Sequence, residues 1–206
     1  AKAPLGGSAP RAAGERGGQL LSAARPPEGA NAPLGGSAPR EAGERGGLHF
    51  TWPVQALRAQ LAPLLPGLDV EVAAQIDSTN TELMRRVRAG RATPMLLAAE
   101  RQSAGRGRLG RAWDGGDAGA TLAFSLALPL APHDWSGLSL AVGLAVAEAL
   151  HPAIGLKWPN DLWWQDRKLA GILVETAVAP AQATRQVVIG VGLNIAPRPG
   201  EGFSTP

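Results

Sequence analysis

Glycine and arginine alternate in one stretch of the chain, which runs from Glu100 to Trp113 and reads E-R-Q-S-A-G-R-G-R-L-G-R-A-W. Glycine lets the backbone turn tightly and approach a ligand closely, because it has no Cβ atom. The guanidinium group of arginine is a planar set of donors that matches carboxylate and phosphate oxygens. The pattern favours a loop that closes over an anionic, phosphate-bearing ligand, with Trp113 available to stack on a ring. A basic surface loop is the alternative, and taken alone this stretch favours the alternative.

Three glycines of this stretch, Gly105, Gly107 and Gly110, also spell G-x-G-x-x-G. A dinucleotide-binding fingerprint must follow a strand and begin a helix, whose N-terminus then receives the pyrophosphate. The residues after Gly110 read R-A-W-D-G-G-D-A-G, which does not begin a helix. The dinucleotide interpretation is therefore rejected.

Polar residues at a predicted strand-to-helix junction form a second group of candidates. The sequence D-S-T-N-T-E begins at Asp77, and the spacing of Thr79 and Glu82 predicts a capping box for a helix that continues to about Arg88. Capping explains Ser78, Thr79 and Asn80 without any further role, because it is the commonest job of such residues. The functional alternative is that these side chains face a ligand at the junction.

Two lysines in apolar segments are a third group. Lys2, Lys157 and Lys168 are the only lysines, against seventeen arginines, so a need for a compact ammonium is indicated at the two that lie near predicted strands. Lys157 begins K-W-P-N-D-L, in which Asn160 and Asp161 fit either a structural turn or a site. Asn194 is the polar exception near the end of an apolar strand, Q-V-V-I-G-V-G-L-N-I.

Strands and helices must position these residues. The apolar spacing predicts helices over 51–65, from 79 to about 88, and over 138–150, the last of them buried. It predicts strands over 68–76, 94–100, 120–130, 168–175 and 186–195, with a hairpin turn at 165–167. The predicted fold class is α/β or α+β, a mixed β-sheet with helices packed on one face.

Composition limits the function. The 206 residues suit one domain, and the absence of cysteine excludes disulfides and thiolate metal sites. Residues 1–47 carry six basic and four acidic side chains, which leaves fourteen and thirteen of the totals of 20 and 17 for the rest of the chain. Basic and acidic side chains that are so nearly equal in number do not predict nucleic-acid binding, although the sequence pI is about 10.2. With no apolar run long enough to span a bilayer and no signal peptide, we expect a cytoplasmic protein without a membrane partner.

An internal repeat occupies the N-terminal region. The sixteen residues from Ala3 to Gly18 recur from Ala32 to Gly47 with one difference, Ala12 against Glu41. Two copies rich in glycine, proline and alanine cannot bury a core. We therefore expect residues 1–47 to be a disordered tail and residues 48–206 to form the catalytic domain.

Five motifs then combine: D-S-T-N, the glycine/arginine stretch, K-W-P-N-D-L, R-K-L-A-G-I-L-V-E and G-V-G-L-N-I occur in this order. Over roughly residues 70–196 the chain resembles biotin protein ligases (biotin–[acetyl-CoA-carboxylase] ligases), of the monofunctional type without a DNA-binding domain. The resemblance implies a catalytic domain like that of class II aminoacyl-tRNA synthetases. It also implies that biotin and ATP, with Mg²⁺, give biotinyl-5′-AMP, and that biotin is then transferred to a lysine of a biotin carboxyl carrier protein, a subunit of acetyl-CoA carboxylase. A homodimer is compatible with it.

The resemblance also assigns roles to residues, but it assigns no metal ligands and leaves Asp161 and Glu175 open. It implies that biotin is bound by Ser78, Thr79, Asn80, Gln102, Arg106, Gly107, Arg108 and Lys168. It implies that ATP or the adenylate is bound by Gly105, Arg108, Gly110, Arg111, Trp113, Lys157, Asn160 and Asn194. Lys168 would be the main electrostatic catalyst between the biotin carboxylate and the α-phosphate, assisted by Arg108.

Some features depart from the family pattern. Leu109 stands where the family loop often has an arginine, and Thr121 stands where an asparagine is expected. The chain ends at Pro206, whereas the family continues with further helices and a small SH3-like domain, so we expect an incomplete catalytic domain. Two alternatives stay open: a lipoate or octanoate ligase or transferase of the same fold, and a truncated module that binds biotin without catalysis.

Overall fold

The structure, a computed structural model, describes residues 51–116, 119–178 and 185–196, all of which belong to one unit of the chain, Glu44–Pro206. The predicted tail, residues 1–47, lies outside the described residues. The helices are α1 (Val54–Leu61), α2 (Thr79–Arg88) and α3 (Leu138–Leu150). The strands are β1 (Asp69–Ala73), β2 (Met95–Ala99), β3 (Thr121–Pro129), β4 (Gly155–Lys157), β5 (Asp161–Trp164), β6 (Arg167–Val178) and β7 (Arg185–Asn194).

The strands form one seven-stranded mixed sheet in the order β1-β2-β3-β7-β6-β5-β4. β1 and β2 are parallel, since α2 connects them as a crossover, and the other neighbours are antiparallel. β5 and β6 are joined by a tight turn in which Gln165 and Asp166 both have positive φ. The predicted mixed sheet and this hairpin are confirmed.

α2 packs on one face of the sheet and forms the main core with β2, β3 and β7. Its apolar residues Leu83, Met84 and Val87 contact Met95, Leu97, Ala127 and Val188, all of them buried. The helix begins one residue earlier than the predicted capping box implies: Ser78 is the N-cap, and its Oγ accepts a hydrogen bond from Thr81 N, 3.4 Å away. The prediction of Thr79 as N-cap is therefore wrong: both residue types can cap a helix and they stand side by side here, but serine is the more favoured of the two.

α3 packs on the opposite face, so the helices are divided between the two faces rather than packed on one. Ala147 of α3 contacts Leu162, Ala170 and Leu193, and Leu193 lies five positions from Val188 in the regular strand β7. An odd separation places two strand residues on opposite faces. Hydrophobic periodicity gives the apolar side of a helix but not the sheet face that it covers.

The prediction that α3 is buried is also wrong for the described part of the chain. Only Gly143 and Ala147 of α3 are buried, and the side chains of Leu144 and Leu150 are 49% and 46% exposed. Apart from Ser139 and Glu148 the helix is apolar or glycine, but the sheet covers only one stripe of it. Among the described residues, no helix has the length and apolar character needed to cross a membrane.

Candidate active site

A cleft of about 400 Å³ opens on the face of the sheet that carries α2. Ten of the fifteen residues to which the resemblance assigns a role line this cleft, and they come from the N-terminus of α2, the glycine/arginine loop, the residue before β5, and β6. They are Ser78, Asn80, Gln102, Arg106, Gly107, Arg108, Arg111, Trp113, Asn160 and Lys168. Five others lie outside the cleft lining: Thr79, Gly105, Gly110, Lys157 and Asn194. Regions of the chain about 110 residues apart thus meet at one place.

The first turn of α2 brings a buried polar cluster to one end of the cleft. Ser78, Thr79 and Asn80 are each no more than 3% exposed. Gln102 Oε1 accepts a hydrogen bond from Thr79 N at 2.8 Å and lies 3.2 Å from Thr79 Oγ1, which leaves the Gln102 NH₂ group to donate into the cleft. Because Ser78 Oγ accepts from Thr81 N, its own proton also remains available for a ligand.

Ser125 and Glu175 complete this cluster, and the sequence did not identify either role. Ser125 Oγ, fully buried in β3, lies 2.8 Å from Thr79 Oγ1 and donates to Asn80 Oδ1 at 2.9 Å. Asn80 Nδ2 donates to Glu175 Oε2 at 2.8 Å. The serine–asparagine and asparagine–glutamate pairs are 45 and 95 residues apart in sequence, so no local pattern indicates them.

The glycine/arginine loop is a narrow hairpin over the cleft. Gly107 N donates to Arg111 O at 2.7 Å, and Trp113 N donates to Gly105 O at 2.8 Å. A Cβ atom at Gly105 would lie 2.5 Å from the carbonyl oxygen of Trp113, so only glycine allows this approach. Leu109, at the tip, has φ of 56° and is 89% exposed.

The side chains of two loop arginines reach across to the sheet. Arg106 Nη2 donates to both carboxylate oxygens of Glu175, at 2.6 and 2.8 Å. Arg108 Nη1 donates to Asn160 Oδ1 at 3.4 Å. The loop is therefore tied to β6 and to the start of β5 on either side of the cleft.

Trp113 ends the loop and lies on the sheet where two glycines make room for it. A Cβ atom at Gly192 would lie 2.5 to 2.8 Å from atoms of the Trp113 indole, and one at Gly171 would lie 3.0 Å from it. Gly171 and Gly192 are directly paired between β6 and β7. Because neither glycine has a side chain, the backbone of this pair forms a flat surface that an aromatic ring can contact. The Trp113 Nε1 atom is buried there and has no hydrogen-bond partner among the described residues.

Lys168 reaches the cleft because β6 has a bulge. Leu162 pairs with Ala170 and Trp163 pairs with Lys168, so Leu169 is an extra residue in β6. In a regular strand Lys168 would share a face with Ala170 and Ile172, which pack toward α3. One extra residue reverses the alternation and turns the lysine to the cleft face. Lys168 Nζ lies there 2.8 Å from Asp161 Oδ2, in a pair that is about four-fifths buried.

The remaining predicted residues support this arrangement from outside the lining or at its edge. Asn194 Nδ2 donates to the carbonyl of Lys168 at 3.2 Å, and the buried Oδ1 atom of Asn194 has no hydrogen-bond partner among the described residues. Asn160 Nδ2 donates to Ile172 O at 2.9 Å, next to the bulge. Lys157 Nζ lies 3.8 Å from the centre of the Trp163 ring.

Charge in the cleft favours anionic ligands. The charged residues of the lining are Arg106, Arg108, Arg111 and Lys168, against the single carboxylate of Asp161. Beside the cleft, the amide N–H of Ser78 and the Arg85 guanidinium hold the pKa of Asp77 below its usual value. The described residues contain no group of three or more His, Asp and Glu side chains suited to hold a metal ion. Polar groups at one end and cations over the middle suit a ligand that carries both a neutral polar ring and an anionic chain.

Comparisons with known proteins agree with this site. Over 153 residues, or 71% of this chain and 47% of the relative, the sequence is 44% identical to the bifunctional ligase/repressor BirA of Escherichia coli strain K12. It is 40% identical to the biotin–[acetyl-CoA-carboxylase] ligase of Mycobacterium tuberculosis, over 71% of this chain and 57% of the relative. The chain thus spans about half the length of the curated relatives that it matches.

A solved structure has the same fold. The biotin acetyl coenzyme A carboxylase synthetase of Helicobacter pylori, with bound biotinylated ATP, superposes with a TM-score of 0.56 at 28% identity, over 68% of this chain and 66% of that one. The model of one family, described as the biotin/lipoate A/B protein ligase family, matches residues 72–194, which include every residue of the cleft lining. The chain is a member of the biotin/lipoate A/B protein ligase family.

Proposed function

We propose that the protein activates biotin with ATP to biotinyl-5′-AMP and transfers biotin to a lysine of a carboxyl carrier protein. The observation that carries this proposal is the position of Lys168. Its ammonium lies in the cleft beside Asp161, and the cleft continues to the polar cluster of α2 at one end and lies under the arginine loop. The named activities of the Mycobacterium tuberculosis and Helicobacter pylori relatives support the same reaction.

The α2 cluster would recognise the ureido ring of biotin. This ring offers one carbonyl acceptor and two N–H donors, and it is uncharged. The Ser78 hydroxyl and the Gln102 amide can donate to a carbonyl, while the hydroxyl and amide oxygens of the cluster can accept. Since these groups are buried and held by their neighbours, little entropy is lost when a ligand binds to them.

Lys168 and the loop arginines would promote adenylate formation. A carboxylate oxygen of biotin attacks the α-phosphorus of ATP, and the bond from that phosphorus to the oxygen that bridges to the β-phosphate breaks, releasing pyrophosphate. Both reactants are anions, and two unit charges about 4 Å apart interact by about 4 kcal/mol at an effective dielectric constant near 20. An ammonium placed between them offsets a repulsion of this size, and Arg108 neutralises charge that develops on the phosphate.

The second half-reaction needs access for the acceptor. The neutral amine of the acceptor lysine attacks the carbonyl carbon of the adenylate, the bond from this carbon to the phosphate oxygen breaks, AMP leaves, and the amine proton passes to water. The loop hairpin covers the cleft between the two steps and limits hydrolysis of the mixed anhydride.

Nucleotide binding would use the central part of the cleft. Trp113, seated on Gly171 and Gly192, offers a ring face, and Arg111 and Asn160 line the cleft nearby. Mg²⁺ would enter with ATP and neutralise phosphate charge. The described residues offer it no cluster of three carboxylate or imidazole ligands, which suits an ion that keeps several waters and is bound mainly by substrate phosphates.

A second candidate function is that of a biotin-binding module without turnover. The polar cluster that would recognise biotin is present in the described residues, and both oxygens of Glu175 and both ends of the Asn80 amide have partners. A protein of this kind would bind biotin without forming the adenylate.

Acyl-adenylate formation tests the proposal. The protein is incubated with Mg²⁺-ATP and, separately, with biotin, lipoate or octanoate, and the acyl-AMP is detected by mass spectrometry. We expect biotinyl-AMP alone. Lipoyl-AMP or octanoyl-AMP would instead identify a ligase for those acids, and calorimetric binding of biotin without any adenylate would identify the binding module.

A further inference from the structure

Glu175 links the two halves of the candidate site: it is not itself part of the cleft lining, but its carboxylate bonds two residues that are, Asn80 and Arg106. One oxygen, Oε2, accepts both from Asn80 Nδ2 at 2.8 Å and from Arg106 Nη2 at 2.6 Å. The other oxygen, Oε1, accepts from the same arginine at 2.8 Å. A single side chain on β6 therefore holds the polar cluster of α2 and the arginine loop at the same time.

We propose that Glu175 is a positioning residue that fixes the ligand-reading orientation of Asn80 and holds the arginine loop over the cleft. This inference rests on the proposed function, because it assigns a role within the same site. The Asn80 amide has a carbonyl oxygen at one end and an NH₂ group at the other, and rotation about the last side-chain bond exchanges the two. Glu175 has only acceptors, and so it can bond only the NH₂ end.

The oxygen end of the same amide contacts Ser125, whose Oγ donates to Asn80 Oδ1 at 2.9 Å, and a Cβ atom at Gly190 would clash with this oxygen. The Ser125 hydroxyl can donate or accept, so it can follow either orientation of the amide. Rotation of the amide would, however, place the carbonyl oxygen against the Glu175 carboxylate, where neither group can donate. The carboxylate thus determines which hydrogen-bonding pattern Asn80 presents to the cleft.

The second contact of Glu175 holds the loop. Hydrogen bonds between a guanidinium and a carboxylate are about twice as strong as bonds between neutral groups. The arginine that is held, Arg106, is the first of the three loop arginines, and the hairpin bonds between 105 and 113 carry its position to the rest of the loop. Occupancy of the polar cluster and closure of the loop are therefore coupled through one carboxylate.

The direction in which Glu175→Gln changes biotin binding distinguishes a positioning role from a purely electrostatic one. The cleft binds anions, so removing a nearby negative charge by Glu175→Gln should tighten biotin binding if only the electric field matters. If Glu175 positions Asn80 and Arg106, the same substitution weakens binding. We expect the KM for biotin to rise about 10-fold, which corresponds to the loss of one charge-assisted hydrogen bond, while kcat for adenylate formation changes less than about threefold.

The loop contact has its own measurement, which needs no catalytic activity. Limited trypsin digestion with peptide mapping reports cleavage after Arg106, Arg108 and Arg111. In the ligand-free protein, we expect Glu175→Gln to accelerate cleavage at these three sites several-fold, since the loop opens more often. Glu148→Gln, an exposed carboxylate on α3, is the matched control and should leave cleavage unchanged.

Both measurements are made on the full chain, with thermal unfolding to verify that the variants fold. A KM for biotin that is unchanged or lower in Glu175→Gln, together with unchanged loop cleavage, would overturn the proposal. If Glu175→Ala fails to fold, Glu175→Gln and Glu175→Asp still decide it. Absence of biotinyl-AMP in the unsubstituted protein would contradict the proposed function instead, and the digestion would then still report whether Glu175 holds the loop.

Discussion

The contacts of Asn80 show how individual side chains build the candidate site. Its amide lies between Ser125 of β3, Glu175 of β6 and the backbone of Gly190 in β7, so three strands meet at this one side chain. Ser78 combines two uses that the sequence offered as alternatives, since it both caps α2 and lines the cleft. The motif residues were thus predictable from local pattern. Ser125 and Glu175 were not, because their partners lie far away in sequence and a lone serine or glutamate in a strand has no distinctive spacing.

Substitution of Gly190 tests this packing. A Cβ atom there would clash with Asn80 Oδ1 and lie 3.0 Å from Asn80 Cγ and 3.3 Å from Ser125 Oγ. Gly190→Ala is expected to lower the free energy of unfolding by about 1–3 kcal/mol, since the buried cluster must shift, and to weaken biotin binding by about 10-fold or more, since Asn80 loses a bond. Chemical denaturation and calorimetry measure the two effects.

Gly155→Ala is the matched control, because Gly155 is also a strand glycine and its nearest neighbour to an added Cβ is 4.0 Å away. This variant should bind biotin normally and be at least as stable as the original protein, since alanine restricts the unfolded chain. Equal biotin affinity in the Gly190 and Gly155 variants would show that the contact at Gly190 has no influence on the site.

At the scale of elements, the bulge in β6 determines which face of the sheet carries Lys168. It turns Lys168 to the cleft face, and a carbonyl freed from the regular ladder is bonded by Asn194. The sequence predicted the strand and the presence of a special lysine, but it contains no signal for the extra residue at Leu169. The local pattern also placed the N-cap of α2 one residue too late, at Thr79 instead of Ser78. It did not show which face of the sheet α3 covers, since that depends on packing between distant segments.

Asn194 is expected to act by holding this bulge. In Asn194→Ala, the Lys168 carbonyl loses its donor and the ammonium its fixed position, so we expect kcat for adenylate formation to fall about 10-fold, with the KM for ATP unchanged within about threefold. Asn194→Asp, which replaces the donor by an acceptor of the same size, should be at least as impaired. Steady-state kinetics with varied ATP would argue against the positioning role if the KM for ATP rose while kcat stayed constant, since that pattern indicates a nucleotide contact.

At the scale of the whole molecule, the family match and the cleft fall in one part of the chain. The family model matches residues 72–194, and the cleft lining begins at Ser78 and ends at Gly192. Resemblance through five ordered motifs predicted the family and the fold class, which the comparisons confirm.

Removal of residues 1–43 should therefore leave the candidate site intact. The described residues of the cleft lining lie between Ser78 and Gly192, and the glycine, proline and alanine content of residues 1–43 cannot bury a core of its own. We expect the shortened protein to bind biotin with an affinity within about twofold of the full chain and to unfold within about 2 °C of it. Calorimetry and a thermal melt measure both, and a loss of binding would assign the repeat region a role in the site.

Single-turnover formation of biotinyl-AMP in Lys168→Gln tests whether the cleft around Lys168 is an adenylation centre. We expect a rate at least about 100-fold below that of the unsubstituted protein, comparable to the loss of one preorganised electrostatic contact. Biotin affinity, measured by calorimetry on the same samples, should change only a few-fold, because the α2 cluster is untouched. Adenylate formation at the normal rate in Lys168→Gln would contradict this role of the cleft.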